Sequence, residues 1–379
     1  MQLEDLRKEI DAIDDQIAAL YVNRMAVAKK VGELKAEKGL HTENSLREKE
    51  IINRVTDVMS DDIKLFGKQI FEGLFDTSKA YQLRFAAPNG KTVNAIKSAV
   101  DEGAAFPVSA TVACQGVEGA YSSIAAGKLF DLSKNMYFKD FEGVFSAVEK
   151  GLCEYGVLPI ENSSVGSVNA VYDLMRKHCF YIVKSIKLRV QHHLLAPAGA
   201  ELSGIREVFS HEQAIGQCKA FLSANPQIKV TVVPNTALGA KMVAESGRKD
   251  VACIASRECG GIYGLRTVVA NLQDNENNYT RFIAISKRLR VFEGADKISI
   301  TLNLPHETGS LNKLLNKFST LGLNLTKLES RPIGNTSFEF AFYFDFEADI
   351  RRPEVQSLIG ELDAQSEMFT FLGSYKEIQ

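Results

Sequence analysis

The chain has 379 residues, 45 basic against 47 acidic, with a formal net charge of −2 and 45% hydrophobic residues. That length is too great for one ordinary core and predicts two or three domains. The near balance of charge argues against a nucleic-acid partner, and no window approaches 18 consecutive apolar residues, so no membrane span or membrane partner is expected.

The opening MQLEDLRKEID is charged and helix-forming, unlike a signal peptide. Six scattered cysteines (Cys114, Cys153, Cys179, Cys218, Cys253, Cys259) without a CxxC read as reduced packing thiols in a cytoplasmic protein. The six histidines lack HExxH or related spacing, so neither metal nor other cofactor is expected.

No proline precedes Pro88, and residues 1–84 read as helices throughout. In the first, apolar residues at Leu3, Leu6, Ile10, Ile13, Ile17, Leu20, Val27, Val31 and Leu34 alternate steps of three and four, a heptad seam. Arg24 takes the seam position between Leu20 and Val27, where an unpaired guanidinium would cost several kcal/mol. It reads either as a snorkelling, register-setting residue or as the holder of a buried anion. Lys35, eleven residues on, faces the same way. Arg7 lies seventeen residues before Arg24, roughly 25 Å along the helix. One small anion therefore cannot span both on a single chain, but Arg7 of an antiparallel partner chain can meet Arg24. The seam and this distance predict an intertwined dimer, or a higher even assembly. Gly39 is expected to end the helix. A second helix starts near Asn44, where Ser45-Leu46-Arg47-Glu48 fits a capping box. A third, about 62–84, carries Ser78 and Gln82 one turn apart.

LRxxIDxID, Arg24, Lys35, Arg47-Glu48 and Ser78xxxGln82 together resemble the all-helical chorismate mutases. The resemblance implies that Arg7 (from the partner chain), Arg24 and Arg47 hold the two carboxylates of chorismate. It implies that Lys35 and Gln82 donate to the ether oxygen, Glu48 holds the hydroxyl, and Ser78 lines the pocket. Asn44 joins this set, standing where the family commonly has Asp. The residue types suit a pericyclic rearrangement, which needs a folded conformer and donors aimed at developing charge, not a nucleophile.

Ala86 to Ala110 is Ala/Gly-rich and reads as a linker with a helical turn or two. From Thr111 to Ser286, strands run into polar clusters that open helices: TVACQG into GVEGAYSS, EYGVLPI into Glu161-Asn162-Ser163-Ser164-Val165-Gly166, REVFS into His211-Glu212-Gln213, KVTVVPN into Thr236-Ala237, and DVACIAS into RECGGIYG. Backbone N–H groups at such junctions bind anions with little basic charge, and several converging suggest a cleft between two α/β lobes. Singly, each is as well explained as a helix cap.

GxxGAYS, LPIENSSxG, Ser210-His211-x-Gln213 and Asn278-x-Thr280-Arg281-Phe282 resemble prephenate dehydratase. That implies a two-lobed, periplasmic-binding-protein-like α/β domain. The implied prephenate set is Glu161, Asn162, Ser163, Ser164, Gly166, Ser210, His211, Gln213, Thr236, Ala237, Thr280, Arg281 and Phe282. Thr280 would act at the leaving hydroxyl, donating directly or relaying a proton from Glu161 or water. Arg281 would order the site or pair with a carboxylate. Gln115, Val117 and Glu212 depart from the family's usual residues in its turns.

From Lys297 the pattern is strand, helix, two strands, helix, strand, a ferredoxin-like βαββαβ unit. Gly309-Ser310-Leu311 and Glu329-Ser330-Arg331-Pro332 resemble the ACT regulatory domain. This implies phenylalanine bound by those residues with Asn324 and Leu325 across a dimer interface.

The expected organisation is thus multidomain: an all-α domain at 1–86, a linker at 87–110, an α/β dehydratase-like domain at 111–288 and an α+β regulatory domain at 296–379. The implied function makes phenylpyruvate from chorismate through prephenate, with feedback by phenylalanine. Two other readings stay open: a dehydratase whose helical arm only dimerises, and a non-enzymatic ligand-sensing module.

Overall fold

The computed structural model describes residues 3–38, 44–85, 88–307, 309–332 and 340–379. Gly39, expected to end the first helix, lies outside them. The chain forms two compact units, Met1–Asp101 with Lys297–Phe371, and Glu102–Asp296 with Leu372–Gln379.

The first unit opens with α1 (Leu3–Lys38), α2 (Ser45–Thr56), α3 (Lys64–Leu83) and α4 (Lys91–Asp101). The heptad seam of α1 faces solvent: Leu3, Ile10, Ile13, Ile17, Leu20 and Val27 are 55–68% exposed. A different stripe packs on α3, with Ala28 and Gly32 buried and Tyr21, Arg24, Met25 and Lys35 half-buried around them. Arg24 therefore departs from the seam. It lies on the border between the stripes and turns towards α3, because small Ala28 and Gly32 let the helices come close there. The capping box at Ser45 is also displaced by one residue. Asn44 is the N-cap, its Oδ1 accepting the Arg47 N–H at 3.1 Å, so Glu48 is left available for Lys79.

The expected linker holds α4, three turns that bury Val93, Ile96 and Ala99 against a helix of the C-terminal segment. Its apolar face is only three small or medium side chains at i, i+3, i+6, too narrow to stand out in sequence.

In the second unit the first lobe comprises β1 (Ser109–Gln115), α5 (Tyr121–Leu129), β2 (Leu132–Phe138), α6 (Phe141–Glu149), β3 (Tyr155–Asn162), β4 (Gly166–Ser167), α7 (Asn169–His178) and β5 (Tyr181–Arg189). The chain crosses at Val190–His192 to a second lobe. That lobe contains β6 (His193–Ala196), β7 (Glu207–Ser210), α8 (Glu212–Gly216), α9 (Lys219–Ala224), β8 (Lys229–Val232), α10 (Thr236–Glu245), β9 (Val251–Ala255), α11 (Arg257–Tyr263) and β10 (Arg266–Val269). It returns to the first lobe as β11 (Tyr279–Ser286). The lobes hold separate sheets, ordered β5-β11-β3-β1-β2 and β10-β6-β9-β7-β8. β11 runs antiparallel between β3 and β5, and its residues from Thr280 to Ser286 are buried, so the strand reads as a continuous apolar run. The two crossings are tied where Val190 donates its N–H to the Asn278 carbonyl at 2.7 Å, and α5 braces the first of them, the Tyr121 hydroxyl donating to the Gln191 carbonyl at 2.7 Å.

The C-terminal segment gives β12 (Lys297–Asn303), α12 (Ser310–Thr320), β13 (Asn324–Pro332), β14 (Phe340–Glu347), α13 (Pro353–Gln365) and β15 (Phe369–Ile378). Its sheet order, β13-β14-β12-β15, is that of a split βαβ unit, and α12 and α13 pack on α3. The last residues of β15 belong to the second unit, where Lys376–Ile378 run parallel to Lys184–Ile186. Gly373 makes this possible. Its φ is +143°, and a Cβ there would lie 2.2 Å from the Ile182 carbonyl oxygen. Gly373→Ala is therefore expected to destabilise the second unit by roughly 3 kcal/mol or more, because backbone, not a flexible side chain, must move. Far-UV circular dichroism during urea unfolding tests this, and an unshifted transition would contradict it.

Five of the six cysteines are buried and free, and Cys179 is exposed. Burial pushes the Cys114 and Cys218 thiols up to about 12, which keeps them protonated and inert. Among the described residues no helix is long and apolar enough to cross a membrane.

Candidate active sites

The helical candidate is built where α1 and α2 meet α3. Arg24 Nη1 donates to the Leu74 carbonyl at 2.9 Å and to Ser78 Oγ, while Ser78 donates to the same carbonyl at 2.7 Å. The guanidinium lies 5.9 Å from the Phe75 ring centroid. Burial lowers its pKa from the usual value. One turn on, Gln82 is buried and packs on Gly32, where a Cβ would lie 3.2 Å from the Gln82 side chain. Gln82 Oε1 is buried with no hydrogen-bond partner, an orphan of the kind that marks a site under demand.

Lys35 lies on the same stripe of α1. Burial pulls its ammonium below the ordinary value, and the Glu48 and Glu361 carboxylates push it back up. Glu48 pairs with Lys79 at 3.1 Å, and Lys79 reaches Asp76 at 3.3 Å. Arg24, Lys35, Glu48, Ser78 and Gln82 thus share one interhelical region. Arg47 instead pairs with Glu50 at 2.9 Å in an exposed position, Asn44 is occupied as a cap, and Arg7 stands exposed near the start of α1. Lys79 was not signalled by the sequence, being one lysine among many on an ordinary helix.

The α/β candidate centres on β11. Successive side chains on a strand point to opposite faces. Thr280 is in register with Asn162, and Arg281 with Glu161, so the hydroxyl and the guanidinium serve different faces of the sheet. On one face Asn162 Nδ2 donates to Thr280 Oγ1 at 2.9 Å and to Asn278 Oδ1 at 2.9 Å. Asn162 Oδ1 accepts the Ser164 and Val165 N–H groups at 3.0 and 3.1 Å. On the other face the buried Arg281 lies against Glu377 at 2.7 Å, the Tyr375 hydroxyl, and Glu161 at 3.9 Å. Its carboxylate partners therefore come from the protein, two of these three groups on β15.

The other α/β candidates divide between surface and scaffold. Ser163 Oγ accepts the Tyr279 N–H at 2.9 Å and donates to the Asn277 carbonyl at 3.0 Å, bracing the entry to β11. Gly166 turns at φ +88° to bring β4 back onto β3. Ser210 is buried and donates to the Ile254 carbonyl at 2.6 Å. His211 caps α8, Nδ1 accepting the Gln213 N–H at 3.2 Å, and burial lowers its pKa. Thr236 starts α10 behind the cap Asn235, while Ala237 and Phe282 are core residues. Gly119, in the first turn, adopts φ +84° and brings its carbonyl to the Cys259 thiol of α11 and the hydroxyl of Ser256, which precedes that helix, across the lobes.

A third region lies in the C-terminal segment. A cavity of about 700 Å³ is lined by Ser310 and Leu311, with His306, Phe340, Phe342 and Gln365 among its other walls. Gly309, with φ +86°, caps the helix that begins there. Asn324, Leu325, Glu329, Ser330, Arg331 and Pro332 lie elsewhere, on the edge strand β13, where Asn324 donates to Glu347 at 2.8 Å and Glu329 pairs with Lys327 at 3.2 Å.

Comparison with known proteins matches residues 6–83 to the family described as chorismate mutase type II, and residues 112–290 to prephenate dehydratase. A bifunctional chorismate mutase/prephenate dehydratase of Aquifex aeolicus is 30% identical over 99% of this chain and 98% of its own. An arogenate dehydratase/prephenate dehydratase of Arabidopsis thaliana is 37% identical over 70% of this chain and 72% of its own. The solved structure of an Arthrobacter aurescens prephenate dehydratase in complex with L-Phe is 26% identical and superposes with a TM-score of 0.62, covering 70% of this chain and 90% of that one.

Proposed function

The chain belongs to the bifunctional chorismate mutase/prephenate dehydratase family and carries both activities; from that premise we propose how its residues perform them and how they are regulated. In the helical region Arg24, joined by Arg47 once it leaves its exposed pair with Glu50, holds the carboxylates of chorismate, with Arg7 supplied by a second copy of the chain. Lys35 and Gln82 donate to the ether oxygen as the C–O bond breaks, and Glu48 orients the hydroxyl. An amide turned end for end puts Gln82 Nε2 where its unpartnered oxygen now sits, which supports a donor role. The exposed seam of α1 supports pairing, since a continuous apolar face of this length is ordinarily covered.

In the dehydratase, the ring–carboxylate bond breaks and releases CO2. Its electrons move into the ring and expel the C4 hydroxyl, which leaves as water after taking a proton. The observation that carries this reading is the Asn162 amide on Thr280 Oγ1. Thr280 accepts from Asn162, so its own proton is left to point at the leaving hydroxyl. Glu161 shares the Arg281 face, which favours Thr280 itself as last donor over a relay from Glu161. Arg281 then orders the site by locking β11 to the end of β15.

The C-terminal βαββαβ segment is an ACT domain on this reading, and its cavity takes phenylalanine. The cavity size, its two phenylalanine walls and the phenylalanine-bound relative support it. Phenylalanine binding one arrangement of the domain more tightly than another shifts the dehydratase towards its less competent state. The test is one assay on purified protein, with chorismate supplied and phenylpyruvate followed by its alkaline absorbance. Phenylpyruvate should form, and its rate should fall as phenylalanine is added. Unchanged kinetics under saturating phenylalanine would remove the regulatory part.

A further inference from the structure

Behind Thr280 lies a chain of amides, of which the motifs named Asn162 and Asn278 but neither Gln217 nor the histidine at its end. Asn278, almost fully buried, donates from Nδ2 to Gln217 Oε1 at 2.9 Å. The same oxygen sits 2.8 Å from His192 Nε2. His192 is itself buried, on the first crossing between the lobes, and Asn278 is on the second. The chain thus runs Thr280, Asn162, Asn278, Gln217, His192.

Each amide has two chemically different ends, and its neighbours dictate which end faces where. The Ser164 and Val165 N–H groups hold Asn162 Oδ1, so its Nδ2 faces Thr280 and Asn278. Asn278 must then present its oxygen to Asn162 and its nitrogen to Gln217. Gln217 must present oxygen, and a second partner for that oxygen has to be a donor. Burial lowers the His192 pKa, so the ring is neutral near pH 7 with one N–H, and the network puts it on Nε2. A lone pair in that place would turn Gln217 end for end. Asn278 would follow, and two NH2 groups would collide at Asn162.

We propose that His192, acting through Gln217 and Asn278, is a positioning residue of the dehydratase, which keeps Asn162 donating to Thr280 and so leaves the Thr280 proton for the substrate. This rests on the reading of Thr280 as donor to the leaving hydroxyl.

The test uses the full-length enzyme. His192→Leu should lower dehydratase kcat roughly 10- to 100-fold, the cost of misdirecting a reacting group. KM for prephenate should hardly change, and chorismate turnover by the same chain should stay normal. His192→Gln, whose side-chain N–H reaches towards Gln217, should recover most of the loss. In a Thr280→Ala background, His192→Leu should add less than about twofold, since residues acting through one group are not additive. Should His192→Leu fail to fold, Gln217→Met, of similar shape but a poor acceptor, carries the same expectations. Normal kcat in His192→Leu, no recovery in His192→Gln, or a full multiplicative loss on Thr280→Ala overturns the proposal. If Thr280→Ala alone keeps full turnover, the donor reading falls and the proposal with it. If Thr280→Ala loses turnover while His192→Leu keeps it, the proposal alone falls.

Discussion

Arg24→Ala is expected to lower mutase kcat/KM by roughly 100- to 1000-fold while dehydratase turnover of supplied prephenate is unchanged. Removing one partner of a buried, hydrogen-bonded charge pair typically costs about 2–5 kcal/mol, which contains this range. Arg24 is half-buried and already held by Leu74 and Ser78. Its guanidinium is therefore preorganised, and little ordering is left to offset the loss. Ser78, freed of its donor, still bonds the Leu74 carbonyl, so α3 should keep its place. The same variant tests the paired arrangement. If Arg7 is supplied by a second copy, mixing and refolding Arg7→Ala chains with Arg24→Ala chains gives mixed pairs with one intact site and one doubly defective site. Activity of about a quarter of wild type should return at statistical pairing. Recovery to no more than either variant alone would mean that Arg7 acts within its own chain or not at all.

Thr280→Ala should retain prephenate binding and lose dehydratase kcat by roughly 100- to 10,000-fold, the range for loss of a positioned proton donor. The residue is nearly buried, with its oxygen occupied by Asn162, so alanine leaves that amide with one acceptor fewer and the strand intact. Thr280→Ser keeps the hydroxyl and should recover much of the rate. Equilibrium binding of prephenate to the alanine variant, beside single-turnover kinetics, separates the two steps. Weak binding with unchanged kcat would assign Thr280 to substrate recognition instead of proton donation. Arg281 offers a contrast, since it is packed against Tyr375 and Glu377 on the opposite face, and its removal should act on stability as much as on rate.

Local periodicity determined much of this protein. The three-four spacing of Leu3 to Leu34 specified a long first helix, and the alternation of FEFAFYFDFEA and its neighbours specified the C-terminal strands, because the spacing follows the repeat of the helix or strand backbone itself, whichever face the fold then covers. The motif wording around Asn162 and Thr280 marked one shared site, as adjacent strands in register bring them to 2.9 Å. Other features depended on contacts made only in the folded chain. Arg24 and the exposed seam parted because Ala28 and Gly32 determine which stripe meets α3. The helix at Lys91–Asp101 formed against α13, more than two hundred residues away, where Gly360 lets the Asn89 carbonyl approach. Thr280 and Arg281, neighbours in sequence, were separated by the pleat onto opposite faces. The amides behind Thr280 join residues 116 and 61 positions apart, which no local pattern relates. A side chain's neighbours along the chain determine its backbone conformation, but its hydrogen-bond partners depend on which distant segments the packed core brings beside it.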